Sequence, residues 1–310
     1  MSDDTSSAVG TSDEVDSVQR SLSTSAPPWC SYYGVTCGAV SGSATYESVI
    51  SISLSGLSLT GTIPNSIGSL TSLKSFILGG NSLTGTIPSS IGSLTSLTSF
   101  YLYSNSLSGT IPSSIGSMIS LQKIQLDHTN LNGTIPSSIG SLILLTSLSL
   151  YSNSLVGAIP SSIVSLTSLQ YLQLGYNGLN GTMPGNIGSL TSLTSTDLSY
   201  NSLIGTIPSS IGSLTSLTTL DLSSNLLAST IPSSFSNLIS LSSLYLDYNY
   251  LTMGSATTVP ASTFSSYTLS QDLGLNHNCL AFHFGSTIES ATHCAPTSGE
   301  SVILYEYALS

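Results

Sequence analysis

The chain has 310 residues, of which only 5% are charged, and its formal net charge is −11 at pH 7. Its basic residues, Arg20, Lys74 and Lys123, are too few to neutralise a phosphate backbone or an anionic membrane surface, which argues against nucleic acid as a partner. Apolar residues make up 40% and recur at regular spacing, so a buried core is expected despite the low charge.

The first segment, residues 1–26, is rich in Ser, Thr, Asp and Glu, which predicts a disordered leader. It has neither the basic end nor the apolar run of a secretory signal peptide. No run of 18 apolar residues occurs in the sequence, so no membrane-spanning segment is predicted.

Residues 27–45 are predicted to form an N-terminal cysteine cap. Trp29, Tyr32, Tyr33 and Val35 are expected to cover the open apolar end of the first coil. The four cysteines form two close pairs, Cys30 with Cys37 and Cys279 with Cys294, which predicts two disulfides and an oxidising compartment. Because a signal peptide is missing, we expect the sequence to be a fragment or a mature form.

A 24-residue pattern then fills residues 46–262. Leu97 to Gly116 follows the consensus L-x-x-L-x-L-x-x-N-x-L-x-G-x-I-P-x-x-I-G, with Phe100 at the second Leu. A fixed period of this length is typical of a solenoid of leucine-rich repeats. The pattern predicts an α/β solenoid, a right-handed superhelix with short parallel strands on its concave face. The Pro-containing half forms a second side, and the SSIGSL half forms a third side of 3₁₀ or helical type.

The repeat has three irregular positions. The ladder position usually held by Asn carries Leu57 in the first coil and Thr129 in a middle coil. A ladder Asn bonds backbone groups of its own and the neighbouring coil, so we expect a local shift that lets Asn130 replace it. Thr196 occupies a strand position that is otherwise apolar, which predicts weaker packing there.

The period breaks after Asn249. Residues 263–295 are predicted to hold a last stretched repeat and a C-terminal cysteine cap closed by Cys279 and Cys294. Residues 296–310 are predicted to be a tail.

At these residues the chain resembles plant-type leucine-rich repeat proteins. The L-x-G-x-I-P half is similar to theirs, and Trp29 to Cys37 is similar to the N-terminal cap of plant receptor-like and polygalacturonase-inhibiting proteins. The near-identical Ser/Thr-rich repeats and the ending from Asn278 to Cys294 resemble leucine-rich surface antigens of flagellate protozoa. The resemblance covers residues 27–295 and implies an extracellular or surface-anchored binding protein.

The concave face is the main candidate site. Exposed Tyr offers a large contact area at low entropic cost, and Asp favours a basic partner. The simpler interpretation is that Tyr is common in strands. The candidate ligand-binding residues are Tyr101, Tyr103, Asp127, Tyr151, Tyr171, Tyr176, Asp197, Tyr200, Asp221, Tyr245, Asp247 and Tyr248.

The second side carries a column of Thr that could match ordered water on ice, although repeat duplication and strand propensity also explain it. Ala158 interrupts the column, and the sequons at Asn132 and Asn180 predict glycosylation on the same side. The column consists of Thr62, Thr86, Thr110, Thr134, Thr182, Thr206 and Thr230.

No metal site, cofactor or enzymatic activity is predicted. Near the C-terminus, His277, His283 and His293 accompany two cysteines, but their spacing fits no common zinc pattern. The sequence has no G-x-S-x-G, H-E-x-x-H or phosphate-binding motif, and His128 beside Asp127 is interpreted as part of a binding surface.

These features predict a non-enzymatic recognition module, extracellular or at the cell surface. Its ligand is expected to be a protein, peptide or glycan that binds the concave Tyr/Asp face. Two alternatives remain open, which are ice binding through the Thr column and a passive structural role in a surface coat.

Overall fold

The computed structural model describes Cys30 and residues 32–39, 47–252, 282–284 and 287–289. The predicted leader, Trp29, the Cys279–Cys294 pair and the tail lie outside these residues. The chain divides into two compact units, Met1–Val156 and Gly157–Ser310, and each is taken by itself.

Short strands alternate between two sides of each coil in the first unit. The strands are β1 (Val35–Ala39), β2 (Glu47–Ser53), β3 (Thr60–Thr62), β4 (Ser75–Ile77), β5 (Ser82–Thr84), β6 (Ser99–Tyr101), β7 (Ser108–Thr110), β8 (Lys123–Gln125), β9 (Asn130–Gly133), β10 (Ser147–Ser149) and β11 (Ser154–Gly157). The last of these strands, β11, ends at Gly157, which is the first residue of the second unit.

The same alternation continues in the second unit, and a separate antiparallel pair, the last two strands, follows later in the chain. The strands are β12 (Tyr171–Gln173), β13 (Gly178–Thr182), β14 (Ser195–Asp197), β15 (Ser202–Gly205), β16 (Thr219–Asp221), β17 (Leu226–Thr230), β18 (Ser243–Tyr245), β19 (Tyr250–Thr252), β20 (Phe282–Phe284) and β21 (Thr287–Glu289).

Strands on the same side of successive coils pair in parallel. In the first unit the order on the first side is β2-β4-β6-β8-β10, with Phe76 opposite Phe100 and Phe100 opposite Ile124. In the second unit it is β12-β14-β16-β18 on the first side and β13-β15-β17-β19 on the second. Partners on the first side are 24 residues apart, so the sequence period is the coil itself. This confirms the predicted leucine-rich solenoid of 24-residue repeats.

The third side of each coil is a 3₁₀ turn, and the described residues contain no α-helix. A proline in extended conformation precedes all but one of these turns, and the backbone N–H of the following apolar residue closes each of them. The turns are Asn65–Ser69, Ser89–Ser93, Ser113–Ser117, Ser137–Ser141, Ser161–Ser165, Ile187–Ser189, Ser209–Ser213 and Ser233–Asn237.

The core is a column of apolar side chains inside each unit. Leu97, Phe100, Leu102 and Leu107 of one coil are fully buried, and the Phe76 and Phe100 rings lie 6.1 Å apart. Full burial of one such side chain contributes roughly 1.5–3 kcal/mol. Every coil therefore buries its apolar residues against its neighbours.

Buried asparagines join the coils at the turn after each first-side strand. Asn105 Oδ1 accepts the Leu83 N–H at 2.9 Å, and its amide donates to the carbonyls of Leu78 and Leu102, each at 3.0 Å. Leu78 and Leu83 belong to the preceding coil. The ladder predicted from sequence is therefore present, and it satisfies backbone groups that the turn would otherwise leave unpaired.

Thr129 occupies the ladder position itself, so the predicted shift to Asn130 is wrong. The Thr129 hydroxyl lies 2.6 Å from Asn153 Oδ1 and 3.0 Å from the Leu126 carbonyl oxygen. Asn130 is exposed at the start of β9. Thr therefore fits because its hydroxyl has two acceptors within reach, the Leu126 carbonyl of its own turn and Asn153 of the next coil.

Thr196 is buried at the centre of β14, between Leu172 of β12 and Leu220 of β16. Its hydroxyl has no hydrogen-bond partner among the described residues. Burying an unpaired hydroxyl is unfavourable. The weaker packing expected from sequence stays a prediction, and the unpaired hydroxyl gives it a physical reason.

The N-terminal cap is held by the predicted Cys30–Cys37 disulfide, whose Cα atoms are 5.5 Å apart. β1 pairs antiparallel with β2 and so covers the edge of the first-side sheet. Tyr32 and Tyr33 expose 53% and 80% of their surface, so the prediction that they cover the open end is wrong. Backbone pairing does this instead.

On the third side, successive coils approach each other closely. A Cβ on Gly212 would lie 2.5 Å from the carbonyl oxygen of Ser234 in the next coil. Val164 holds the equivalent place in an earlier coil, and there the next coil has Gly185 and Asn186 in place of two serines. The 3₁₀ turn of that coil is shortened to Ile187–Ser189, so the larger side chain coincides with a local change in its neighbour.

Candidate binding face

The candidate site is the outward side of the first-side strands, with the three residues that follow each strand. We call it the strand face of the first unit (β2 to β10) and of the second unit (β12 to β18). The middle residue of each central strand is buried and its two neighbours point outward. The twelve predicted ligand-binding residues all lie on these faces, four in the first unit and eight in the second.

On the strand face of the first unit the predicted residues are Tyr101, Tyr103, Asp127 and Tyr151, and all are half-buried. Tyr103 packs over Gly79 of the preceding coil. Tyr151 meets His128 edge to face, with ring centroids 5.5 Å apart. Much of this aromatic surface is therefore already used in contacts between coils.

The strand face of the second unit is more open. Its five tyrosines, Tyr171, Tyr176, Tyr200, Tyr245 and Tyr248, are all exposed. Large exposed aromatic side chains that share one rigid sheet are a common feature of protein interaction surfaces. This unit therefore carries most of the contact area that the sequence predicted.

Three of these tyrosines stand in an unusual backbone conformation. Tyr176, Tyr200 and Tyr248 have φ of 54°, 49° and 53°, and each precedes a ladder asparagine. The left-handed conformation costs a non-glycine residue of order 1 kcal/mol. The residue before the ladder position is left-handed also where that position is not Asn, since His128 precedes Thr129 with φ of 52°, so the conformation belongs to the turn of the coil. As a consequence the three rings start from equivalent backbone positions.

The structure also brings Tyr176 and Tyr200 together as a stacked pair. Their ring centroids are 4.1 Å apart with an interplanar angle of 22°. Ser224 takes the same position in the following coil, and Tyr248 in the coil after that.

Two carboxylates lie side by side on the same face. Asp197 and Asp221 are cross-strand partners in β14 and β16. Asp197 Oδ1 accepts the N–H and hydroxyl of Ser199 at 2.8 and 2.6 Å. Asp221 Oδ1 is held in the same way by Ser223, at 2.9 and 2.6 Å. These serine braces were missed at the sequence level, although the spacing Asp-Leu-Ser in both coils is their signal.

The paired carboxylates repel each other, and no cationic side chain in the described part of the chain offsets them. Burial raises the pKa of the Asp221 carboxyl, the hydrogen bonds from Ser223 lower it, and the neighbouring Asp197 charge raises it. The sequence contains no Lys or Arg after Lys123. Like charges placed directly opposite each other on a sheet are destabilising, so a bound cation would relieve this pair.

Replacing Asp221 by Asn should make the protein more stable to urea at pH 7. Asn keeps an oxygen acceptor for Ser223 and removes the charge. Because the folded-state pKa is raised, the stability linked to this carboxyl is complete below the ordinary value of 3.8 and is lost as the pH rises through the raised pKa. The advantage of Asp221→Asn should therefore be largest at neutral pH and shrink towards pH 4. A variant no more stable than the wild type at pH 7 would contradict this.

The Thr column on the second side is exposed throughout, and so is Ala158, which interrupts it. Its methyl groups pack on the glycines of the next coil, since a Cβ on Gly109 would lie 2.8 Å from Thr86 Cγ2. Packing between coils is thus one reason for the column. The sequon residues Asn132 and Asn180 are exposed on β9 and β13 of this side.

Among the described residues no cluster of three or more His, Cys, Asp or Glu could hold a metal ion. The same part of the chain contains no helix with the length and apolar character needed to cross a membrane.

Comparison with known proteins gave matches of two kinds. The leucine rich repeat family matches residues 71–131, 119–179, 143–203 and 191–251. The plant peptide hormone receptor RGFR1, solved in complex with RGF2, is 35% identical over 73% of this chain and 34% of its own, with a TM-score of 0.63. No curated protein matched the sequence.

Two further solved structures are similar. The leucine-rich repeat ectodomain of the receptor kinase GASSHO1/SCHENGEN3 from Arabidopsis thaliana, in complex with CASPARIAN STRIP INTEGRITY FACTOR 2, is 34% identical. It covers 82% of this chain and 32% of its own, with a TM-score of 0.66. A plant ice-binding protein is 27% identical over 74% of this chain and 79% of its own, with a TM-score of 0.57.

The chain spans about a third of the length of the two receptor chains. The repeat pattern, the stacked parallel strands and these matches lead to one conclusion, that the chain belongs to the leucine-rich repeat family and its repeats are of the plant type.

Proposed function

We propose that this protein is a non-enzymatic recognition module that binds a peptide or protein segment on the strand face of its second unit. The observation that carries the proposal is the combination of five exposed tyrosines with the unneutralised pair Asp197 and Asp221. The tyrosines supply contact area and the carboxylates favour a basic ligand.

The similar receptors support a peptide ligand. RGFR1 is a plant peptide hormone receptor and was solved in complex with RGF2. The plant ice-binding protein shares the fold as well, so fold alone does not choose a function, and the choice rests on side chains. The Thr column is exposed as well, but Ala158 interrupts it and several of its methyl groups pack on glycines of the next coil. The strand face of the second unit, in contrast, carries five large exposed tyrosines.

A location outside the cell or at its surface is part of the proposal. The Cys30–Cys37 disulfide suits an oxidising compartment, and one of the similar structures is named a receptor ectodomain.

An array of acidic, neutral and basic peptides and of glycans, probed with the whole protein, tests the proposal. The informative variant carries Tyr176→Ser, Tyr200→Ser and Tyr248→Ser, because Ser224 adopts the same φ and shows that the fold accepts serine there. The wild type should bind basic peptides best, and the variant should lose about a hundredfold in affinity.

The matched control carries Thr182→Val, Thr206→Val and Thr230→Val, which change exposed residues on the second side of the same coils. It should bind as the wild type does. The proposal fails if no peptide binds, or if the tyrosine variant binds as tightly as the wild type. Glycans bound in place of peptides would assign the face to a sugar ligand instead.

A further inference from the structure

Two asparagines lie outward on the second side, each within the sequence Asn-Gly-Thr. Asn132 belongs to β9 of the first unit and Asn180 to β13 of the second, and both side chains are exposed. The threonine two residues later, Thr134 or Thr182, is exposed as well. Asn-x-Thr is the acceptor sequence for N-linked glycosylation. The amide and the hydroxyl that this modification requires therefore both lie at the surface.

The repeat itself excludes the ladder asparagines from this chemistry. The residue two positions after each of them is a buried leucine of the core, as Leu107 is for Asn105. The ladder amide is also engaged, since Asn105 donates to the carbonyls of Leu78 and Leu102. Asn132 and Asn180 are the only asparagines of the whole sequence with Ser or Thr two positions later.

The surface around both asparagines has room for a sugar. The cross-strand partners of Asn132 are Thr110 of β7 and Ser154 of β11, and the partner of Asn180 is Ser202 of β15. All three partners are small and exposed. A glycan attached to either asparagine would therefore extend into solvent without displacing a large neighbouring side chain.

The core separates these asparagines from the strand face. In one coil of the first unit, Lys123 is exposed on β8 and Asn132 on β9, whereas Ile124 and Leu131 are fully buried. The two strands belong to different sheets. A glycan on Asn132 would therefore stand over the second side, next to Thr110 of the Thr column, and away from the strand face.

We propose that Asn132 and Asn180 carry N-linked glycans, which cover the second side of each unit and leave its strand face accessible. The Asn Nδ2 atom forms a bond to the anomeric carbon of an oligosaccharide that is carried on a polyprenyl diphosphate. The bond from that carbon to the diphosphate oxygen breaks, the lipid diphosphate leaves with the bonding electrons, and the amide loses one proton. The modification goes beyond the proposed ligand and depends only on the proposed passage of the chain out of the cell.

The test uses the whole chain, secreted from a eukaryotic cell line behind a cleavable signal peptide. Glycopeptides are mapped by mass spectrometry before and after treatment with an amidase, which releases each glycan and converts its Asn to Asp. Asn132 and Asn180 should each carry a glycan, and the neighbouring Asn130 should carry none. Thr134→Ser should retain the glycan on Asn132 and Thr134→Val should abolish it, because the acceptor sequence requires the hydroxyl.

Ser108→Asn is the positive control. Ser108 is exposed at the position equivalent to Asn132 in the preceding coil, and Gly109 and Thr110 follow it. The variant should gain one further glycan, since it completes the acceptor sequence at the same place on the second side.

Two separate cysteine variants compare the faces of the first unit. Thr110→Cys lies beside Asn132 on the second side and Lys123→Cys on the strand face, and both positions are exposed. Each is treated with a polyethylene glycol maleimide, and the wild type sets the background. Removing the glycans should speed labelling of Thr110→Cys about tenfold and leave Lys123→Cys unchanged, because a glycan is bulky and covers only its own side.

Two results would overturn the proposal. They are the absence of glycans from both asparagines in the secreted protein, and equal slowing of the two cysteine variants by the glycans. The peptide array is run on protein made in the bacterial periplasm, without glycans. If that protein binds peptides and the secreted protein carries no glycan, the proposed function stands and the glycosylation proposal falls.

Discussion

Replacing Asn225 by Ala should lower the free energy of unfolding by about 3–5 kcal/mol. Asn225 is 4% exposed, and its Oδ1 accepts the Leu203 N–H at 3.0 Å. Its amide donates to the carbonyls of Leu198, Leu222 and Ser223 at 2.9–3.1 Å. Alanine would leave the Leu203 N–H buried without a partner, which costs roughly 1–3 kcal/mol. The three carbonyls would each lose one hydrogen bond, worth about 1 kcal/mol, and keep a second, from Asn201, Asn249 and the Tyr200 N–H.

Urea unfolding followed by circular dichroism measures this effect. Asn130→Ala is the control, because Asn130 is an exposed asparagine beside a ladder position, and it should change stability by less than about 0.5 kcal/mol. Asn225→Thr should fall between the two, because Thr129 shows that the ladder tolerates threonine once per several coils. Equal stability of Asn225→Ala and the wild type would refute this account of the ladder.

Replacing Gly212 by Ala should destabilise the second unit by about 1–3 kcal/mol or more. The added Cβ would lie 2.5 Å from the Ser234 carbonyl oxygen and 3.1 Å from its carbonyl carbon. These are backbone atoms of the next coil, so no side-chain rotation can relieve the contact, and the two coils must move apart. The loss extends to the apolar contacts that the third side makes between coils.

Gly185→Ala is the matched control in the same unit. A Cβ at Gly185 would meet no atom within 4 Å, and its φ is outside the left-handed range, so the change should be neutral or slightly stabilising. Both variants are compared with the wild type by urea unfolding. The coil that follows Val164 has Gly185 and Asn186 where the coil after Gly212 has two serines. Adding Ser233→Gly and Ser234→Asn to Gly212→Ala copies that arrangement and should restore part of the lost stability. If Gly212→Ala unfolded at the same urea concentration as the wild type, the coils would have room to separate and the prediction would be wrong.

The amino-acid sequence alone determined the coil and its stacking. A contact between neighbouring coils recurs at a separation of 24 residues, as in the pairing of Phe76 with Phe100. A repeating local pattern therefore encodes the non-local contacts as well, because each coil meets only its neighbours. The buried ladder and the Cys30–Cys37 disulfide follow from the same regularity and are confirmed. The Tyr and Asp residues of the strand faces remain a predicted binding site.

Tertiary structure decided what each irregular or outward side chain does. Thr129 occupies the ladder position, where Asn153 of the next coil lies within hydrogen-bond distance. The edge of the sheet is covered by β1, and Tyr33 is exposed. The serine braces of Asp221 and its neighbour, and the stacking of Tyr176 on Tyr200, depend on distances between side chains. The spacing of apolar residues in the sequence determines which of them are buried. The partners of outward side chains depend on the geometry of the stacked coils, which the spacing does not give.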